Sequence, residues 1–81
     1  MTNPPPRKPL SQRQREVRDF LVVFLIENHR QPTTREIADS FGFNQTAAQF
    51  HLRSLEKKGW ITIDDHGRRR LVGIVLSALY A

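Results

Sequence analysis

The stretch that decides the fold runs from residue 33 to residue 59 and reads TTREIADSFGFNQTAAQFHLRSLEKKG. It opens with Thr33 followed three residues later by Glu36. This spacing is typical of a capping box, in which the two side chains satisfy each other's backbone amide groups at the start of a helix. Gly42 suits the left-handed residue that ends a helix. The sequence therefore predicts a helix over Thr34–Phe41.

A second helix follows after the short turn Gly42–Asn44 and is predicted over Gln45–Lys58, with Gly59 as its cap. Two helices joined by a tight turn that contains glycine are typical of a helix-turn-helix, whose second helix enters the major groove of DNA. Apolar residues at helical spacing are expected to hold the two helices together: Ile37, Ala38, Phe41, Ala48, Leu52 and Leu55.

A longer helix is predicted upstream, from Ser11 to about His29. Ser11 and Gln14 form another capping box. Residues 1–9 contain four prolines and are expected to be a flexible tail, so that the folded domain covers residues 10–81. Apolar residues at i, i+3, i+4 and i+7 define the expected buried face of this helix: Val17, Phe20, Leu21 and Phe24.

Two strands are predicted downstream, over Trp60–Ile63 and Leu71–Leu76. They are separated by the polar turn Asp64–Gly67, which indicates a β-hairpin. The expected fold class is mainly α with a small β-hairpin, a winged helix-turn-helix of three helices and a two-stranded wing.

The composition excludes several classes of function. With 13 Lys and Arg against 8 Asp and Glu, the net charge of +5 favours a nucleic-acid partner, although a merely basic solvated surface is the alternative. There is no cysteine, which excludes disulfides and thiolate chemistry. The longest apolar run, Phe20–Ile26, is too short to cross a membrane. We expect a cytoplasmic protein that is not an enzyme and that has no cofactor and no small-molecule ligand. No metal is expected, because His29, His51 and His66 lack the spacing of metal ligands.

The outer face of the third helix is the candidate reading surface. If Ala48, Leu52 and Leu55 point inward, polar side chains suited to base edges and phosphates point outward, together with the aromatic Phe50. Phe50 could lie against thymine methyl groups; the alternative is that it packs sideways into the core or against a partner. The predicted base-reading residues are Asn44, Gln45, Thr46, Ala47, Gln49, Phe50 and Arg53.

Phosphate contacts are expected from the start of the second helix, the end of the third helix and the wing. Three consecutive arginines follow the hairpin turn, where they can grip phosphates or enter the minor groove. A solvated run of charge is the alternative. The predicted phosphate-binding residues are Thr33, Thr34, Arg35, Lys57, Arg68, Arg69 and Arg70.

The first helix carries apolar residues on more than its buried face, which predicts a homodimer. Val22 and Ile26 project almost opposite to that face, with Val23 and Leu25 on the flanks, and a helix that is apolar all round is normally buried all round. The alternative is that the C-terminal segment, which includes Leu76, folds back over this surface within one chain.

Six segments carry a family resemblance: Leu10–Gln14, Pro32–Ala38, Gly42–Phe43, Ala47–Ala48, His51–Leu52 and Leu55–Gly59. They resemble the DNA-binding domain of the LexA repressor family, and the resemblance covers about residues 10–76. It implies a sequence-specific regulator of bacterial or phage transcription that binds double-stranded DNA as a repressor. Asn44, Thr46, Ala47, Gln49 and Phe50 fall where the family reads bases. The turn is one residue shorter, and Phe50 replaces a polar residue, so a different operator is expected. LexA repressors also carry a self-cleaving serine–lysine domain, and no part of it is expected in residues 1–81.

Two other functions stay open on sequence alone. One is a non-specific or architectural nucleic-acid-binding accessory protein of replication or recombination. The other is a winged-helix module that binds protein. The varied polar face of the third helix favours sequence-specific reading, because a binder driven only by charge needs only Lys and Arg there.

Overall fold

The computed structural model describes residues 8–72. Three helices precede a two-stranded antiparallel sheet, which confirms the predicted fold class of a winged helix-turn-helix. Within residues 8–72, no helix is long and apolar enough to span a membrane. The elements are α1 (Gln12–Asn28), α2 (Thr34–Phe41), α3 (Gln45–Lys57), β1 (Ile61–Ile63) and β2 (Arg69–Leu71).

Both predicted capping boxes are present. The Ser11 hydroxyl accepts from the Gln14 amide at 3.2 Å, and the Gln14 side chain accepts from the Ser11 amide at 3.0 Å. Thr33 and Glu36 exchange the same pair of bonds, at 3.1 and 2.8 Å. These side chains satisfy amide groups that have no partner within the helix, and so they fix where α1 and α2 begin.

The turn between α2 and α3 is fixed by backbone geometry at both of its ends. Gly42 has a φ of +70°, in the left-handed region, and the Phe43 amide donates back to the Ala38 carbonyl at 2.9 Å. Asn44 then caps α3, its side chain accepting from the Ala47 amide at 2.7 Å. The chain therefore leaves one helix and enters the next within three residues, Gly42–Asn44.

The end of α3 differs slightly from the prediction. The helix ends at Lys57, one residue early, and Lys58 is its cap. Gly59 follows in the left-handed region with a φ of +87°, and the Trp60 amide donates to the Leu55 carbonyl at 2.9 Å. Because this bond holds Trp60 at the helix end, β1 begins at Ile61 rather than at Trp60.

One hydrophobic core joins all three helices to the wing. The inward positions predicted for α3 are confirmed, since Ala48, Leu52 and Leu55 are buried. Phe20 and Phe41 are half-buried and pack around the core. The buried hydrophobic side chains of this core are Val17, Leu21, Ile37, Ala38, Ala48, Leu52, Leu55 and Ile61.

The position of the second strand was predicted wrongly. β2 is Arg69–Leu71, with Arg69 opposite Ile63 and Leu71 opposite Ile61. The cause is the turn, where the Asp64 carboxylate accepts from the His66 and Arg68 amides at 2.9 and 2.8 Å. This closes the hairpin early, so two of the three arginines lie in the strand and not at its tip. Residues 73–76 of the predicted strand lie outside the described residues.

The start of the described chain lies against the end of α3. The Lys8 amide donates to the Lys58 carbonyl at 3.2 Å, and the Lys8 carbonyl accepts from the Trp60 indole at 2.7 Å. Residues 1–7 of the predicted flexible tail lie outside the described residues, as does Leu76 of the segment considered as a cover for α1.

Candidate nucleic-acid interface

The solvent-facing side of α3 forms an open cleft of about 220 Å³. Four of the predicted base-reading side chains line it: Thr46, Gln49, Phe50 and Arg53. They come together because each lies within one helical turn of the next, on the side opposite the buried Ala48 and Leu55. The cleft combines an amide, a hydroxyl, a guanidinium and an aromatic ring.

Three further predicted readers stand at the start of α3. Asn44 and Gln45 are exposed, and Ala47 is half-buried. The side-chain oxygen of Asn44 is engaged as the helix cap. Asn44 therefore has a structural role as the N-terminal cap of α3.

Phe50 is 65% exposed, as expected of a residue on the outer face. Its ring meets His51 edge-on, with centroids 5.8 Å apart and an angle of 76° between the planes. His51 in turn stacks on Phe43 at 4.9 Å, and Phe43 stacks on Phe41 at 5.3 Å. A continuous row of rings thus connects the exposed phenyl group to the half-buried aromatic residues around the core.

The imidazole of His51, in the middle of this row, is disfavoured in its charged form. Burial lowers the pKa of its imidazole, and the nearby Arg13 guanidinium lowers it further. Among the described residues, its Nδ1 is buried and accepts no hydrogen bond. The neutral ring therefore serves as an aromatic support for Phe50.

A second cleft, of about 160 Å³, lies between α2, α3 and the wing. Gln49 and Arg53 line this cleft as well as the first. On the opposite side are Thr34, from the start of α2, and Arg69, from β2. The geometry therefore brings together the predicted base readers of α3 and predicted phosphate-binding residues of two other elements.

The three consecutive arginines are not equivalent. Arg68 and Arg70 are exposed, whereas Arg69 is half-buried and donates a hydrogen bond to the Pro32 carbonyl. Burial lowers the pKa of the Arg69 guanidinium, and its Nη1 is buried without a hydrogen-bond partner among the described residues. The register explains the difference, because Arg69 lies opposite Ile63, which lines the same cleft, and Arg70 lies opposite the exposed Thr62.

The other predicted phosphate-binding residues lie at the two helix ends. Arg35 and Lys57 are exposed. The Thr33 hydroxyl is engaged as the cap of α2, and Thr34 is half-buried at the edge of the second cleft. The N-terminus of α2 thus presents backbone amide groups beside two cationic side chains, Arg35 and Arg69.

Arg30, which no pattern in the sequence singled out, helps to fix the start of α2. Its guanidinium makes two hydrogen bonds to the Glu36 carboxylate, at 2.9 and 3.0 Å, and lies 4.9 Å from the ring centroid of Phe24. Bonds from Arg30 and from the Thr33 amide lower the pKa of Glu36 to about 2. The capping box singled out Glu36, but no local pattern relates it to a residue six positions upstream.

The match to known proteins decides the family. The model of the LexA DNA binding domain matches residues 7–70, most of the chain and nearly all of the described fold. This chain belongs to the LexA DNA-binding domain family.

Relatives named LexA repressor agree with this assignment. The chain is 46% identical over 65 residues to that of Verrucomicrobium spinosum, which covers 79% of this chain and 29% of the relative. It is 41% identical over 68 residues to that of Aromatoleum aromaticum, covering 83% of this chain and 33% of the relative. It is 36% identical over 64 residues to that of Thermosipho africanus, covering 79% and 32%. This LexA-type chain spans about a third of the length of these curated relatives.

The predicted dimer surface of this LexA-type domain is only partly exposed. Val23 and Ile26 are 50% and 37% exposed, whereas Val22 and Leu25 are half-buried. The exposed apolar part of α1 is therefore centred on Val23 and Ile26. Association through it stays a prediction.

Proposed function

We propose that this domain reads a specific sequence of double-stranded DNA with α3 in the major groove, and that the protein represses transcription by occupying that sequence. The observation that carries the proposal is the exposed face of α3, where Gln49, Phe50 and Arg53 line one cleft. Gln49 and Arg53 also line the second cleft, beside the wing. Membership of the LexA DNA-binding domain family supports it. The protein acts by binding, without a cofactor or a catalytic step, on DNA in the cytoplasm.

The chemistry of the exposed side chains suggests which bases they read. Gln49 suits the N6 and N7 atoms of adenine, and Arg53 suits the O6 and N7 atoms of guanine, each with two hydrogen bonds. Thr46 can contact either kind of base. To the residues at the start of α3 we assign contacts where the helix first enters the groove: Asn44, Gln45 and Ala47.

Phosphate contacts position the domain on the duplex without reading sequence. We assign them to the exposed Arg35, Lys57, Arg68 and Arg70 and to the N-terminus of α2 at Thr33 and Thr34. Arg69 receives a different role, because its guanidinium already binds the Pro32 carbonyl. It holds the wing in place for its two neighbours.

The proposal includes a homodimer. One α3 reaches few base pairs, and a two-fold pair doubles the contacts on a palindromic site. Val23 and Ile26, exposed on α1 with Val22 and Leu25 beside them, supply an apolar contact surface for a second copy.

Selection of bound sites from random duplex DNA tests the proposed function. We expect the chain to enrich one motif, with two inverted half-sites if it binds as a dimer. Retention of DNA at low salt without enrichment would indicate the non-specific accessory protein instead. No retention at low salt would indicate a protein-binding module.

A further inference from the structure

The exposed phenyl group of Phe50 is held in place without being buried. Its edge-on contact with His51 restrains the ring, and His51 is itself stacked on Phe43. Yet 65% of Phe50 remains accessible to solvent. Exposed aromatic area is unfavourable in water, so a restrained ring in this position is suited to an apolar contact with a partner.

The neighbours of Phe50 indicate what kind of partner it meets. The ring shares its cleft with Gln49 and Arg53, two side chains whose hydrogen-bonding groups match base edges, and with Thr46, which adds a methyl group. The cleft offers one apolar wall next to polar groups whose hydrogen-bonding pattern suits adenine and guanine.

The major groove presents one apolar group on its base edges, the C5-methyl group of thymine. We propose that Phe50 packs against the methyl group of a particular thymine in each half-site, and that Gln49 reads an adenine next to it or in the same base pair. This inference rests on the proposed function, since it requires α3 to lie in the major groove. It makes Phe50 a specificity-determining residue that prefers thymine over any base without a 5-methyl group.

The charge around the ring fits this role. Burial lowers the pKa of the His51 imidazole, and this disfavours a charged support beside the apolar ring of Phe50. Arg53 supplies the positive charge of the cleft from one helical turn away.

The test removes single methyl groups from the DNA. Each thymine of the selected site is replaced in turn by deoxyuridine, and the affinity of the full chain is measured by fluorescence anisotropy. Uracil pairs as thymine does and differs only by the methyl group. We expect a loss of about fourfold at one thymine per half-site, the size that follows from burying one methyl group, and no change at the others.

A thermodynamic cycle then assigns that loss to Phe50. Phe50→Ala is expected to bind the thymine duplex more weakly and to show no further loss with uracil at the sensitive position. Phe50→Leu, which keeps an apolar side chain, is expected to retain part of the methyl preference. Gln12→Ala, which changes an exposed residue of α1 outside the proposed DNA and dimer contacts, is the control and is expected to keep the full preference.

Three outcomes are informative beyond the expected one. If no uracil substitution weakens binding of the wild-type chain, the methyl contact does not exist. If Phe50→Ala keeps the fourfold preference, another residue reads the methyl group and the inference is wrong. In both cases the chain still selects one DNA motif, so the proposed function is not contradicted. A chain that shows no sequence preference at all contradicts the proposed function itself.

Discussion

The guanidinium of Arg69, in the second strand of the wing, donates a hydrogen bond to the backbone carbonyl of Pro32, in the link that precedes α2. The two residues are 37 positions apart in the chain. The bond joins the wing to the start of the helix-turn-helix across the cleft that Gln49 and Arg53 line from α3. The wing has only two strands of three residues, so we infer that this contact sets its position beside α3.

Arg69→Met is expected to loosen the wing. It keeps most of the apolar stem of the side chain but leaves the Pro32 carbonyl without its donor. Hydrogen exchange of the Asp64 and Gly67 amides, which are bonded within the hairpin, should become faster. Arg70→Met, on the exposed side of the same strand, is the matched control and should leave exchange unchanged. Equal exchange in the two variants would show that Arg69 does not hold the wing.

The exposed arginines of the wing are expected to contribute to the salt dependence of DNA binding. Arg70→Ala should weaken binding to all sequences and reduce the slope of log K against log salt by about 0.9 for each bound copy of the chain, since each copy loses one phosphate contact. Adding Arg68→Ala should reduce it by about as much again. Arg15→Ala removes the same charge from an exposed site on α1 and should not change the slope. If the slope is the same for Arg70→Ala and the wild type, the wing does not contact the backbone.

The Glu36 carboxylate is expected to make stability depend on acid pH. Its pKa is about 2 in the folded chain against an ordinary value of 4.5, mainly because of its bonds to Arg30. A lowered pKa means that its contribution is present above about pH 4.5 and is lost as the pH falls toward 2.

Thermal unfolding of Glu36→Gln measures this contribution. The variant should melt below the wild type at pH 7, and the difference in Tm should shrink as the pH falls from 4.5 to 2. Glu27→Gln removes one exposed carboxylate from α1 and serves as the control. A difference in Tm for Glu36→Gln that stays constant over this range would contradict the assignment.

Self-association through α1 is tested by sedimentation equilibrium at micromolar concentration. The wild-type chain should sediment above the monomer mass. Val23→Glu combined with Ile26→Lys should sediment as a monomer, because it places charge on the two most exposed apolar residues of α1 while leaving the fold intact. A wild-type chain that sediments as a monomer at every concentration rules out the α1 dimer.

Local signals in the sequence predicted much of this structure. The capping residues Ser11 and Thr33 and the left-handed Gly42 act within a few positions of the chain, and their spacing alone placed the helix boundaries. The period of 3.6 residues placed Ala48 and Leu52 in the core and left Phe50 outside it.

Contacts between distant parts of the chain could not be predicted in this way. A strand of three residues is too short to show an alternating pattern, so the sequence did not reveal that Arg69 faces the cleft while Arg70 faces solvent. An arginine beside Ile63 also runs against the usual apolar inner face. The partner of Arg69, the Pro32 carbonyl, is a backbone atom with no signature in the sequence.

The central claim, that α3 reads bases, is tested most directly by the ratio of affinities for the selected site and for scrambled DNA. Gln49→Ala and Arg53→Ala should each lower this ratio. The difference in binding free energy between the two DNAs should shrink by about 1–3 kcal/mol, because each substitution removes a pair of hydrogen bonds to one base. Lys57→Ala, which removes a charge from the end of the same helix, should weaken binding to both DNAs equally and preserve the ratio. If Gln49→Ala and Arg53→Ala both keep the wild-type ratio, α3 is not the element that reads the sequence.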